Sequence, residues 1–191
     1  MRIISGTARG RQLTTFSGKS VRPTPDKVRG AIFSMLFSRM GSLADMKVLD
    51  LCSGSGAMAI EALSRGAGHA WLVDDGVQAK TIIPANLALC GFTDRSTFIG
   101  RNAFQALDQL VDRRPFDLIF LDPPYGKNLA PSLLETISAG SYLSATGIVC
   151  AETAKTDEIP DRIGDLIRIE QRTYGITAIH LFRRDATETE G

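Results

Sequence analysis

Apolar and polar positions alternate with different periods along this chain, and the changes of period mark out its elements. After Pro23 and Pro25, residues Val28, Ile32, Met35 and Leu36 recur at helical spacing, with Phe33 and Phe37 as a second apolar row. A helix is therefore predicted from about 25 to 40, with Gly41 ending it. From Lys47 the pattern becomes strand, Gly-rich turn and helix, then repeats: KVLDL, a helix from Ala57 to Arg65, HAWLVD, and a helix ending near Cys90. Further strands are read at about 95–99, at FDLIFLD and at GIVCAE, with helices near 103–112 and 128–139 between them. The run LIRIEQRTYGITAIHLFRR contains two β-patterned stretches joined at Tyr174 and Gly175, a terminal hairpin. Such alternation implies an α/β fold with a doubly wound, mostly parallel sheet that closes on an antiparallel hairpin. Residues 1–15 alternate weakly around Gly6 and Gly10, as short strands or a hairpin would.

Length and charge sharpen this picture. The chain has 191 residues, 43% of them hydrophobic, enough for one domain plus a small appendage. The expected organisation is a basic N-terminal extension over 1–22, one domain over 23–185 and a frayed polar tail over 186–191. The net charge of +1 is unevenly spread: residues 1–40 carry +7 and the remainder −6. An acidic body with a basic end points to a polyanionic partner. No apolar run approaches the roughly 20 residues that span a bilayer. Cys52, Cys90 and Cys150 are odd in number and far apart, which favours neither a disulfide framework nor zinc. His69 and His180 lie in strand-like runs away from other ligand types, so packing roles are expected for them and no metal. Trp71 and Phe120 read as core.

Two motifs carry chemistry. In Asp50-Leu51-Cys52-Ser53-Gly54-Ser55-Gly56 an apolar strand gives way to a helix, and the glycines let a ligand approach the backbone beside unsatisfied N–H groups. Asp74, at the next strand end, has the reach to accept hydrogen bonds from both hydroxyls of a ribose. The spacing from Gly54 through Gly56 and Ala59 to Asp74 also meets a dinucleotide fingerprint, so this motif alone leaves NAD open. The second motif, Asp122-Pro123-Pro124-Tyr125, follows FDLIFL. An exocyclic amino group is a poor nucleophile, because its lone pair is delocalised into the ring. A carboxylate and a rigid proline carbonyl that accept its N–H bonds aim that pair at an electrophilic methyl, while Tyr125 stacks on the extruded base. A dinucleotide oxidoreductase has no use for this second motif.

Together the two motifs resemble the class I amino-methyltransferases. RIISGTARGRQL, RPTPDKVRGAIFSML, VLDLCSGSGAMAIEALSRGA, FDLIFLDPPY and RTYGITAIHLFRR are, nearly end to end, similar to the bacterial RsmD-type small-subunit ribosomal RNA guanine-N2 methyltransferases. That resemblance implies a Rossmann-like methyltransferase domain with S-adenosylmethionine as cofactor, bound by Asp50, Ser53, Gly54, Ser55, Gly56, Asp74, Asn102 and Ala103. It implies a reaction centre at Asp122, Pro123 and Tyr125. Docking of ribosomal RNA or the small ribosomal subunit is expected from Arg2, Arg9, Arg11, Arg22 and Arg29, in a monomer acting in the cytoplasm. Two positions depart from the family: Asp74-Asp75 stand where a ribose-binding Glu is usual, and Asn102 where an Asp lies near the adenine. An Asp still offers a two-oxygen acceptor, and an Asn still offers a carbonyl oxygen. Residues 1–40 match the family's mature sequence, which argues against an organellar transit segment. Other readings on the same fold are a DNA amino-methyltransferase, for which 191 residues leave little recognition region, and a non-catalytic RNA-binding assembly factor, against which the intact Asp122-Pro123-Pro124-Tyr125 speaks.

Overall fold

The computed structural model describes residues 1–16, 25–124 and 129–185. Helix α1 spans Asp26–Met40 and ends at Gly41. The alternating unit then follows as β1 (Lys47–Leu51), α2 (Ala57–Ser64), β2 (His69–Val73), α3 (Ala79–Cys90), β3 (Ser96–Ile99), α4 (Ala103–Gln109), β4 (Phe116–Leu121), α5 (Leu129–Ala139) and β5 (Leu143–Ala154). Strands β6 (Arg162–Ile163), β7 (Leu166–Tyr174) and β8 (Thr177–Arg184) complete one eight-stranded sheet in the order β3-β2-β1-β4-β5-β8-β7-β6. Strands β1 to β5 pair in parallel, and β8, β7 and β6 continue antiparallel. Helices cover both faces. One core joins α1, α2 and α3 to Val48, Leu118, Phe120 and Ile148, and the other joins α4 and α5 to Leu49, Leu51, Ile119 and Val149. The doubly wound α/β expectation holds, as does the terminal hairpin. Strand β5 is longer than GIVCAE because its first residues pair with Phe116 before a register irregularity, and the two-residue β6 escaped the pattern for want of length. Among the described residues no helix is long and apolar enough to cross a membrane. The expected tail 186–191 lies outside the described residues.

Residues 1–16 fold back as a hairpin-like turn, with Arg2 bridged antiparallel to Gln12. This segment is built into the domain. Ile3, Ala8 and Leu13 are buried in the same core as α2 and α3. The Glu61 carboxylate of α2 accepts the backbone N–H groups of Ile4 and Ser5 at 2.8 and 3.0 Å, and Ser64 Oγ accepts that of Ala8 at 2.9 Å. Contact is closest at Gly6, where a Cβ would lie 1.8 Å from the Ser64 carbonyl oxygen, so no side chain fits.

One expectation is overturned here. Arg29, assigned to the RNA on charge alone, is fully buried on the inner face of α1 with Ile32, Phe33 and Leu36, while Phe37 keeps part of its surface exposed. Its guanidinium bonds the Arg2 carbonyl oxygen and Asp26, and Nε lies 3.8 Å from Glu61. A charge this deep is held by counter-charges, and it joins α1, α2 and the N-terminal segment where no phosphate reaches it.

Candidate active site

Sheet order reverses at β1, flanked by β2 on one side and β4 on the other. In an open α/β sheet the crevice beyond the carboxyl ends at such a switch point receives ligands. The sequence motifs emerge there: Asp50 near the end of β1, Asp74 just past β2, Asn102 and Ala103 past β3, and Asp122 and Pro123 past β4. The N–H of Asp122 donates to the Leu51 carbonyl at 3.3 Å, and that of Ser53 to the Val73 carbonyl at 2.9 Å, so neighbouring strand ends are stitched together.

The loop after β1 owes its shape to backbone that few residues adopt. Gly54 and Gly56 have φ of 57° and 80°, and a Cβ on Gly56 would lie 2.9 Å from Leu72 Cδ2. Cys52 takes φ of 61° as well, without being glycine. Asp50 is buried, and its Oδ2 accepts the Ala59 N–H inside the first turn of α2 at 3.1 Å. Burial, opposed by that hydrogen bond and reinforced by Asp74, pushes its carboxyl up to about 7. Ser53 Oγ accepts the Val73 N–H at 2.9 Å and lies 2.5 Å from the Asp50 carbonyl oxygen.

Asp74 clamps the loop from the other side: Oδ2 accepts from Gly54 N and Oδ1 from Gly76 N, both at 2.8 Å. Burial raises its carboxyl and these bonds lower it. Each oxygen keeps a second lone pair for a ligand. Asn102 caps α4, its Oδ1 accepting from Gln105 N at 3.0 Å, which places it at the mouth of the crevice with that oxygen already half used. Ala103 is buried beside it.

Asp122 is an exposed residue by surface area, yet protein atoms crowd its carboxyl. That crowding, with Glu152 and Asp50 nearby, pushes its proton affinity well above the usual carboxylate range, although solvent still reaches the group. Pro123 is buried and Pro124 exposed. Tyr125 and Arg22 lie outside the described residues. The thiol of Cys52 is pushed up to about 12 by burial and by Asp74, Asp122, Asp50 and Asp75, so it carries little thiolate at neutral pH. His180 is buried, shares a 3.1 Å contact with Thr153 Oγ1 and faces Arg168, in keeping with a packing role.

Sequence reasoning missed Asn86, which joins this site from α3. Asn86 of α3 is fully buried; its Oδ1 accepts from Thr14 N, and its Nδ2 donates to the carbonyls of Thr14 and Ser55, all at 2.9 Å. One amide thus fastens the N-terminal segment to the loop after β1. Beside it, Phe16 approaches to 3.5 Å of a Cβ on Gly54, and Met1 Sδ lies 3.9 Å from Ser55 Oγ. Its signal was a polar side chain on the apolar face of α3, in line with Ile83, Leu87 and Cys90.

Of the arginines expected at RNA, Arg2, Arg9 and Arg11 are exposed on this segment; Arg2 lies 3.6 Å from Asp26.

Known proteins share this architecture. Ribosomal RNA small subunit methyltransferase D of Escherichia coli is 28% identical over 186 residues, covering 97% of this chain and 91% of that protein. The solved structure of the Escherichia coli protein yhhF matches with a TM-score of 0.82 at 28% identity, over 97% of this chain and 98% of that one. YlbH of Bacillus subtilis is 37% identical over 186 residues, covering 96% of this chain and 99% of its own length. A family model described as Conserved hypothetical protein 95 matches residues 1–183, and the chain belongs to that family, whose fold is the Rossmann-like methyltransferase sheet.

Proposed function

We infer that the chain methylates the exocyclic N2 of a guanine in small-subunit ribosomal RNA, using S-adenosylmethionine. The observation that carries this reading is the meeting of the Gly54–Gly56 loop with Asp122-Pro123 at adjoining strand ends, linked by the Asp122 N–H to Leu51. The residues present fit the cofactor. A glycine-lined loop leaves room for it, Asp74 keeps lone pairs for a ribose, and the carboxyl groups of Asp50, Asp74 and Asp122, each raised by burial, gather where its positive charges would favour their ionised form. When bound, S-adenosylmethionine supplies a methyl group on a sulfonium sulfur.

The protein's own part is positioning and charge. Asp122 and the Pro123 carbonyl accept the amino N–H bonds and turn the nitrogen lone pair toward the methyl. Positive charge grows on that nitrogen during transfer, so the Asp122 carboxylate stabilises the transition state more than the ground state. Asp50 holds the first turn of α2 and, with Gly54 and Gly56, shapes the loop. The target base must leave its stack, which favours unpaired or deformable RNA. Arg2, Arg9 and Arg11 on the N-terminal segment hold the phosphate backbone beside the crevice and add affinity more than sequence specificity.

Nucleoside analysis of ribosomal RNA tests this reading. Cells lacking the gene lose one N2-methylguanosine from small-subunit RNA and regain it when the gene is returned. An unchanged guanosine profile would overturn the substrate.

A further inference from the structure

The reaction releases a proton, and the row of side chains around Asp122 bears on its fate. In the register of β4 against β5, Leu121 is opposite Ala151, the last registered pair. Glu152 is the next residue on β5 and Asp122 the first residue past β4, and neighbouring strands lie about 4.8 Å apart. Leu121 and Ala151 belong to the core under α4 and α5, whereas Phe120 and Cys150 belong to the core under α1, α2 and α3. Continued past Leu121, the alternation puts Asp122 with Glu152 on the second of these faces, which Asp50 of β1 shares one same-face step back, opposite Phe120.

We propose that Glu152 is a positioning residue of this reaction, a second carboxylate that keeps Asp122 a competent proton acceptor. The proposal rests on the methyltransferase reading above. As the nitrogen–carbon bond forms, the carbon–sulfur bond breaks and its electron pair goes to sulfur, leaving a neutral thioether. The nitrogen, now cationic, gives a proton to an Asp122 oxygen, its N–H electron pair returning to nitrogen. Asp122, still reached by solvent, passes that proton to water. A lone exposed aspartate is a weak base near neutral pH. A like charge on the adjoining strand favours its protonated form and brings its basicity closer to the working pH.

The groups facing Asp122 agree with this. β1 contributes Asp50, the loop after it Cys52, and β5 Glu152, with Cys150 two positions back on the same face. β8 contributes Ile179, opposite Glu152. Farther along the row β7 carries Arg172, which is tied to Glu170. The immediate surroundings are thus carboxylates and thiols, and burial with Glu152 and Asp50 raises Asp122 in direction.

Two readouts on Glu152→Gln test the proposal. In ligand-free protein carrying carbon-13-labelled aspartate, the Asp122 carboxyl should titrate about two pH units lower than in wild type, as removal of a charge roughly 5–7 Å away at an effective dielectric near 20 predicts. In turnover on small-subunit ribosomal RNA, kcat should fall and the acid limb of its pH profile should move down with the titration, while Glu152→Asp restores the wild-type limb. An unmoved Asp122 titration, or a moved titration with an unmoved acid limb, would overturn the proposal. Absence of wild-type turnover on this RNA would overturn the substrate assignment instead, and the titration would then decide the carboxylate coupling by itself.

Discussion

Replacing Asn86 by alanine removes three hydrogen bonds with a single substitution, and its cost can be worked from the structure. The side chain is fully buried, and each bond measures 2.9 Å. At 0.5–1.5 kcal/mol net apiece, their loss destabilises the fold by about 3 kcal/mol. The Ser55 carbonyl bond is buried and belongs in the upper part of that range, whereas the Thr14 groups regain some solvent. For a domain of 150–250 residues this corresponds to a melting temperature lower by roughly 6–12 °C. Thr14→Ala is the control. Thr14 meets Asn86 through its backbone and is exposed, so its truncation should change stability by no more than about 0.5 kcal/mol. Urea unfolding followed by circular dichroism reads both. Because Ser55 lies in the loop after β1, Asn86→Ala should also weaken S-adenosylmethionine binding in calorimetry at a temperature where the variant is folded. A loss below about 1 kcal/mol with unchanged cofactor affinity would refute the idea that this amide couples the N-terminal segment to the loop.

Asp122→Ala should cut kcat roughly 100-fold or more while leaving cofactor affinity nearly intact, as single-turnover kinetics and calorimetry can read; equal turnover would make the motif structural here. Asp74→Ala removes two charge-assisted loop bonds along with the ribose acceptor, so affinity for S-adenosylmethionine should fall by at least the 1.5–3 kcal/mol of one such bond, about 10-fold or more. His180 is held down to about 4 by burial and by Arg168, against an ordinary 6.5 when unfolded. The unfolded chain thus takes up the extra proton, and stability present above pH 6.5 is lost as pH falls through 4. Relative to His180→Gln, wild type should lose up to roughly 3 kcal/mol between pH 7 and pH 4 in denaturant titrations, and a pH-independent difference would contradict the assignment. Changing Arg9 and Arg11 together to Gln should weaken RNA binding and flatten its logarithmic salt dependence by about 1.5, since each phosphate contact contributes roughly 0.7; an unaltered slope removes these two side chains from the interface.

The framework was legible because the period changes are sharp: KVLDL, HAWLV and FDLIFL are short apolar runs bounded by turn residues, and each became a parallel strand. The positions of Asp50, Asp74 and Asp122 followed from strand ends, since a parallel sheet gathers its carboxyl ends on one edge. Polar residues inside helices were harder to interpret. Arg29, Glu61 and Asn86 look like surface residues by type, yet Arg29 continues the 29-32-33-36 row and Asn86 the 79-83-86-87-90 row, both of which face inward. Helical phase carried that information, whereas summed charge concealed it. Glu152 was hidden for another reason: its neighbour Asp122 is thirty positions away in sequence, and only the strand register joins them.

The stitching of residues 1–16 to α2 and α3 has a consequence for synthesis. Its partners, Glu61, Ser64 and Asn86, lie 56–72 positions downstream. Closing a loop of that size costs on the order of 3.6 kcal/mol in chain entropy before any contact repays it. At about 5–20 residues per second, translation needs roughly 4–15 s to move from residue 16 to the end of α3. For that interval Arg2, Arg9 and Arg11 belong to a nascent chain that has no scaffold, and residues 1–16 wait for α2 and α3 before they can take their place.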